Sequence, residues 1–131
     1  MCAQENTEAI DSLFDILKTD SDGLVPAVCQ HAETGQVLML GYMNRESLQL
    51  TLRDKKACFF SRSRQKLWLK GETSNNFLHV DEVRTDCDAD ALVLQCRPDG
   101  PTCHTNETSC FYRLVGGDGG ITLSGDGVAT S

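Results

Sequence analysis

The sequence predicts a small α+β domain, mostly antiparallel β with two short helices, on three observations. Apolar residues recur at helical spacing near the N-terminus, in Ile10, Leu13, Phe14 and Leu17. Short apolar runs bounded by turn residues follow, with one capped helical segment among them. After residue 55 few segments favour a long helix. In chain order, Thr7 caps the first helix. Leu24 to Gln30 and Gln36 to Met43 form two strands across the turn Glu33-Thr34-Gly35. Asn44 is an N-cap for a helix reaching about Asp54, with Leu48 and Leu52 inward. Ala57 to Ser61, Leu67 to Lys70 and Phe77 to Thr85 are strand candidates, and Ala91 to Arg97 is the clearest buried strand. Pro98-Asp99-Gly100-Pro101 is a rigid turn that can bring Cys103 back toward Cys87. One domain spans 1–115; the Gly-rich stretch 116–131 has little to bury and is expected to be a loose tail.

A chain of 131 residues with 40% hydrophobic content suits one core and leaves no room for a second. Its net charge of -7 argues against a nucleic-acid or anionic-membrane surface, so an anionic ligand must meet locally clustered Arg and Lys. Residues Met1 to Thr19 carry Glu5, Glu8, Asp11 and Asp15 through the apolar positions, unlike a signal peptide. No stretch is long and apolar enough to span a bilayer. Seven cysteines without an export signal favour reduced thiols and metal ligation in the cytoplasm over a disulfide framework.

The metal chemistry concentrates late in the chain. Cys87 sits inside Asp86-Cys87-Asp88-Ala89-Asp90, and Cys103 and Cys110 bound the polar stretch from Cys103-His104-Thr105 to Cys110. Thiolates suit zinc, and alternate carboxylates supply the hard oxygens of magnesium or calcium. Three cysteines leave a tetrahedral zinc one position short, which is the open position a hydrolytic zinc uses for water. A helix-loop-helix calcium site does not fit, because the sixth and twelfth positions counted from Asp86 are Ala91 and Arg97 instead of Gly and Glu. In an extended segment alternate residues face opposite sides, so the carboxylates and the Cys87 thiol would serve different ions. Cys2, Cys29, Cys58 and Cys96 read as small buried hydrophobes or a terminal residue. A residue adjacent to Cys103 cannot easily reach the same ion, so His104 reads as a proton carrier beside the metal.

The run Phe59 to Asn76 holds four of the twelve basic residues, interleaved with hydroxyls and turn residues. Arg forks and hydroxyl or backbone donors in such a loop suit phosphate oxygens, against the blander reading of a solvated charged hairpin.

Phe59-Phe60-Ser61-Arg62-Ser63-Arg64, Leu67-Trp68, Lys70-Gly71-Glu72-Thr73-Ser74, Asn76-Phe77-Leu78-His79-Val80, the acidic run, and Cys103-His104-Thr105 with Ser109-Cys110-Phe111 closely resemble the phosphoribosyl-AMP cyclohydrolases of histidine biosynthesis. The resemblance covers roughly residues 24 to 113, with Gly41 and Asn75 as departures where the family commonly has Ala and Gly. There is no sign of the pyrophosphohydrolase domain that some relatives carry fused behind this one. The resemblance implies hydrolytic opening of the adenine ring of 1-(5-phosphoribosyl)-AMP at the N1–C6 bond, in an intertwined homodimer. It implies zinc on Cys87, Cys103 and Cys110 at or near the dimer interface, and magnesium on Asp86, Asp88 and Asp90. On this reading His104 is the catalytic base or proton relay. The phosphates are shared between magnesium and Arg62, Arg64 and Lys70, with Ser61, Thr73 and Ser74 as further donors. Two alternatives compete: a zinc-stabilised binding module without catalysis, and another purine-directed zinc deaminase or amidase.

Overall fold

The computed structural model describes the backbone over 3–123 and side chains over 10–123. Its elements run α1 (Ala3–Ile16), β1 (Val25–His31), β2 (Val37–Met43), α2 (Arg45–Asp54), β3 (Cys58–Ser61), β4 (Lys66–Leu69), β5 (Leu78–Thr85), β6 (Leu92–Pro98), β7 (Arg113–Val115) and β8 (Ile121–Leu123). The main sheet has the order β2-β1-β6-β5, and β3–β4 and β7–β8 are separate two-stranded hairpins. Every pairing is antiparallel except β1 with β6, which lie parallel because α2 and the β3–β4 hairpin intervene before the chain returns. The fold is thus the expected α+β, mostly antiparallel.

Alternation along the two central strands decides where the core sits. Val25, Ala27 and Cys29 of β1 and Leu92, Leu94 and Cys96 of β6 point to one face, and all are buried. Ile10 of α1, Leu48 of α2 and Phe59 of β3 cover that face. The first helix begins before Thr7, so that residue lies inside α1, and Leu17 is buried just beyond its end. Thr7's side chain and Cys2 lie outside the described residues.

Asn44 caps α2 as the sequence indicates. Its side chain accepts from Ser47 N at 2.8 Å, and Ser47 Oγ accepts from Asn44 N at 2.9 Å, a reciprocal capping box. The buried stripe of α2 is Ser47, Leu48 and Thr51, while Leu52 is 39% exposed. This corrects the inward placement of Leu52. The Thr51 hydroxyl accepts from Cys58 N at 2.9 Å, and turning Thr51 toward β3 to satisfy that amide rolls Leu52 to the edge of the face. Leu48, fully buried, is the apolar anchor of the helix. Leu48→Ala is expected to destabilise the fold by about 2–5 kcal/mol, read from the chemical denaturation midpoint.

The stretch after Leu114 departs from the expected loose tail. Val115 and Ile121 pair as β7 and β8 across Gly116–Gly120, with Gly119 at φ 91° in the turn. Both strands are exposed, which is why no burial pattern marked them. Residues 124–131 lie outside the described region.

Candidate active site

Asp86, Asp88 and Asp90 occupy the connection between β5 and β6, and one oxygen from each lies within 4.8 Å of the others. The segment is a tight turn, whereas the sequence reading took it as extended. Asp90 N donates to Asp86 Oδ1 at 2.9 Å, and Ala89 takes a left-handed backbone with φ 60°. That conformation is uncommon for a residue with a Cβ, and here it lets alternate carboxylates converge. Hydrogen bonding with Asp86 and Asp88, and repulsion from them, push Asp90 up to about 6, while the hydrogen bond from Asp90 holds Asp86 low. Three carboxylates crowded in this way fit a hard divalent cation with metal–oxygen bonds of about 2.1 Å.

The thiols form a second centre. The loop from Thr102 to Cys110 folds on itself through Cys103 N to Glu107 O at 3.1 Å, and docks on β2 through Cys110 N to Leu38 O at 2.7 Å. Ser109 Oγ adds a bond to Val37 O at 2.6 Å. These contacts bring the Cys103 and Cys110 thiols close enough to perturb each other. Burial raises the Cys103 thiol, but the Thr105 hydroxyl and amide, Cys110 and the charge of Lys70 outweigh it and bring it below its ordinary value. Desolvation and the neighbouring Cys103 push Cys110 up to about 11. Two adjacent sulfurs suit half of a tetrahedral zinc shell. The buried Thr102 hydroxyl, next in chain to Cys103, has no hydrogen-bond partner among the described residues.

Cys87 does not join them. It is exposed in the acidic turn, where Thr85 pairs with Leu92, whereas the Cys103 loop follows the other end of the same hairpin, where Leu78 pairs with Pro98. β6 has seven residues, which at about 3.3 Å each places the two ends about 20 Å apart. The Pro98–Pro101 turn therefore does not return Cys103 to Cys87 within one chain. Among the described residues, the carboxylates alone form a cluster of three or more metal-binding groups. Cys29, Cys58 and Cys96 are buried free thiols, as expected.

A cavity of about 620 Å³ brings together Ser61, Arg62, Arg64, Trp68 and His104. The Arg62 guanidinium lies 4.0 Å from the centroid of the Tyr42 ring, and Trp68 stands 5.6 Å from Phe59. Tyr42 also lines the cavity, and no charge or metal-ligand pattern in the sequence marks it as a site residue. Thr73 and Ser74 are absent from the cavity wall and lie exposed in the turn after Gly71, where Ser74 Oγ accepts from Asn76 N at 3.2 Å. Lys70 also departs from the phosphate loop, because its ammonium is buried and donates to Thr102 O. His79 bonds Asp99 at 2.9 Å and does not line the cavity.

The two departures from the family pattern are accommodated locally. Asn75 has φ 64°, a left-handed conformation that Asn tolerates where Gly would be usual. At Gly41 a Cβ would lie 2.6 Å from Phe59 Cδ1, so the Phe59 ring occupies the space an alanine would need.

A family model described as phosphoribosyl-AMP cyclohydrolase matches residues 39–112. The phosphoribosyl-AMP cyclohydrolase of Chloroherpeton thalassium is 54% identical over 115 residues, covering 87% of this chain and 82% of that protein. The one from Chlorobium phaeovibrioides is 52% identical over 117 residues, covering 88% and 85%. A chloroplastic histidine biosynthesis bifunctional protein of Arabidopsis thaliana is 52% identical over 81% of this chain and 38% of its own length. With the acidic turn, the paired thiols and the Ser61–Arg64 cavity inside the matched region, the chain belongs to the phosphoribosyl-AMP cyclohydrolase family.

Proposed function

We propose that this chain hydrolyses the N1–C6 bond of 1-(5-phosphoribosyl)-AMP, opening the adenine ring to the phosphoribosylformimino-aminoimidazole carboxamide ribotide of histidine biosynthesis. One observation carries the reading: His104, the chain neighbour of a paired thiol, lines the same cavity as Ser61, Arg62 and Arg64. A histidine thus borders both the thiol loop and the basic loop, an arrangement that supports a proton-transfer role for it. Cys103 and Cys110 would hold zinc together with Cys87 of the partner subunit, which makes the working unit a homodimer. Asp86, Asp88 and Asp90 would hold magnesium. Free thiols at six described cysteines fit a reducing, cytoplasmic setting.

Zinc, when bound, supplies the Lewis acidity that makes water a nucleophile near neutral pH. The ribosyl group on N1 withdraws electrons from the ring and leaves C6 electrophilic. A ring nitrogen of His104 takes the proton of the attacking water and delivers it toward N1 as the N1–C6 bond breaks. Arg62 and Arg64 hold the phosphates, and Tyr42 keeps the Arg62 guanidinium in plane through the cation–π contact. Trp68 and Phe59 give the cavity an apolar wall against which the purine can pack.

The direct test is ultraviolet detection of ring opening with 1-(5-phosphoribosyl)-AMP, run alongside a zinc count. A zinc-loaded, folded protein that leaves this nucleotide intact would overturn the reading. Arg64→Ala is expected to raise KM roughly 10-fold or more with zinc content unchanged, the scale of a lost charged hydrogen bond. Wild-type KM at low ionic strength would return the loop to a solvated surface.

A further inference from the structure

Lys70 follows β4, and its backbone N donates to Ala57 O at 3.0 Å, which fixes it at the open end of the β3–β4 hairpin. Only 9% of the residue is exposed, its ammonium donates to Thr102 O, and Nζ lies 5.7 Å from the centroid of Trp68. No carboxylate pairs with it among the described residues. A buried ammonium without an opposing charge is costly, so its environment has to supply one. The carbonyl it grips belongs to Thr102, next in chain to Cys103, and Thr102 N donates to Thr108 O at 3.2 Å within the same loop, so the ammonium stands at the base of the loop that carries the Cys103 and Cys110 thiols.

We infer that Lys70 is the counter-charge of the thiolate centre, a positioning residue for the metal site and not a phosphate ligand. This rests on the zinc reading above. Three thiolates and one divalent ion sum to a single negative charge, which one buried ammonium cancels. The same ammonium grips the carbonyl of Thr102, next to Cys103, so one side chain sets both the charge of the site and the position of its loop.

Two substitutions separate charge from shape. Lys70→Gln keeps a donor for Thr102 O and removes the charge, whereas Lys70→Arg keeps the charge. Zinc affinity is measured by competition with a chromophoric chelator, and the sulfur-to-metal charge-transfer band is recorded after cobalt(II) substitution. Lys70→Gln is expected to weaken zinc binding roughly tenfold or more, the scale of a lost outer-shell partner, and to shift the cobalt band, with KM within about two-fold of wild type. Lys70→Arg should recover most of the affinity. Wild-type zinc affinity with a raised KM in Lys70→Gln would make Lys70 a phosphate ligand and overturn the inference. Equal losses in the Gln and Arg variants, with circular dichroism unchanged, would also overturn it by assigning the effect to shape. Should Lys70→Gln not fold, Lys70→Arg decides alone: a wild-type cobalt band and affinity support the charge role, and their loss overturns it. Wild-type protein that takes up no zinc would remove the metal reading and this inference together, whereas wild-type affinity in Lys70→Gln removes this one only.

Discussion

Cys103→Ser is expected to yield a folded protein that carries no zinc and opens the adenine ring at less than about 1% of the wild-type rate. Outer-shell substitutions already cost about 10–100-fold in metal affinity or activity, and a ligand costs more. The fold should survive, because the core of Val25, Leu48, Phe59 and Leu94 is built without this loop. Metal analysis and the ultraviolet assay on one sample make the check, and full activity in a demonstrably zinc-free preparation would sink the catalytic metal. The separation of Cys87 from Cys110 sharpens the test. If Cys87 comes from the partner subunit, Cys87→Ala and Cys110→Ala are each inactive, yet a mixed dimer has one site with both lesions and one intact. Random exchange makes about half the dimers mixed, so refolding the variants together should restore about a quarter of wild-type activity. No recovery, with mass spectrometry showing mixed dimers, would place all three ligands on one chain.

His104→Ala should keep its zinc and lose roughly 100-fold or more in kcat, the usual scale for a lost general acid or base. The residue is exposed on the cavity wall, next in chain to Cys103. On the proposed zinc site its removal spares all three thiol ligands and takes away the proton carrier. A change confined to KM would make His104 a binding residue. His79 is a second histidine within the family-matched region, but it is bonded to Asp99 and does not line the cavity.

Local elements were legible because their signals are local. The period of Ile10, Leu13 and Phe14, the Asn44 cap and the alternation along β1 and β6 act within a few residues, and the structure follows them. Leu52 was misplaced because the face of α2 is chosen by a bond from Thr51 to Cys58, seven residues away on another element. The β7–β8 hairpin was invisible because it buries nothing, and burial is what hydrophobic periodicity reports.

By itself the sequence determined the family, the acidic triplet, the late cysteines and the basic loop, because each is written in contiguous motifs whose chemistry depends on side-chain identity. Only the tertiary structure decided how those motifs meet. It put His104 in the cavity with Ser61, Arg62 and Arg64, left Thr73 and Ser74 outside it, and turned Lys70 inward to Thr102. It also set Cys87 and Cys103 at opposite ends of the β5–β6 hairpin. The physical reason is that a strand carries its two ends apart by a fixed rise per residue, however close they stand in sequence. A buried ammonium, likewise, must find its counter-charge wherever the fold supplies one.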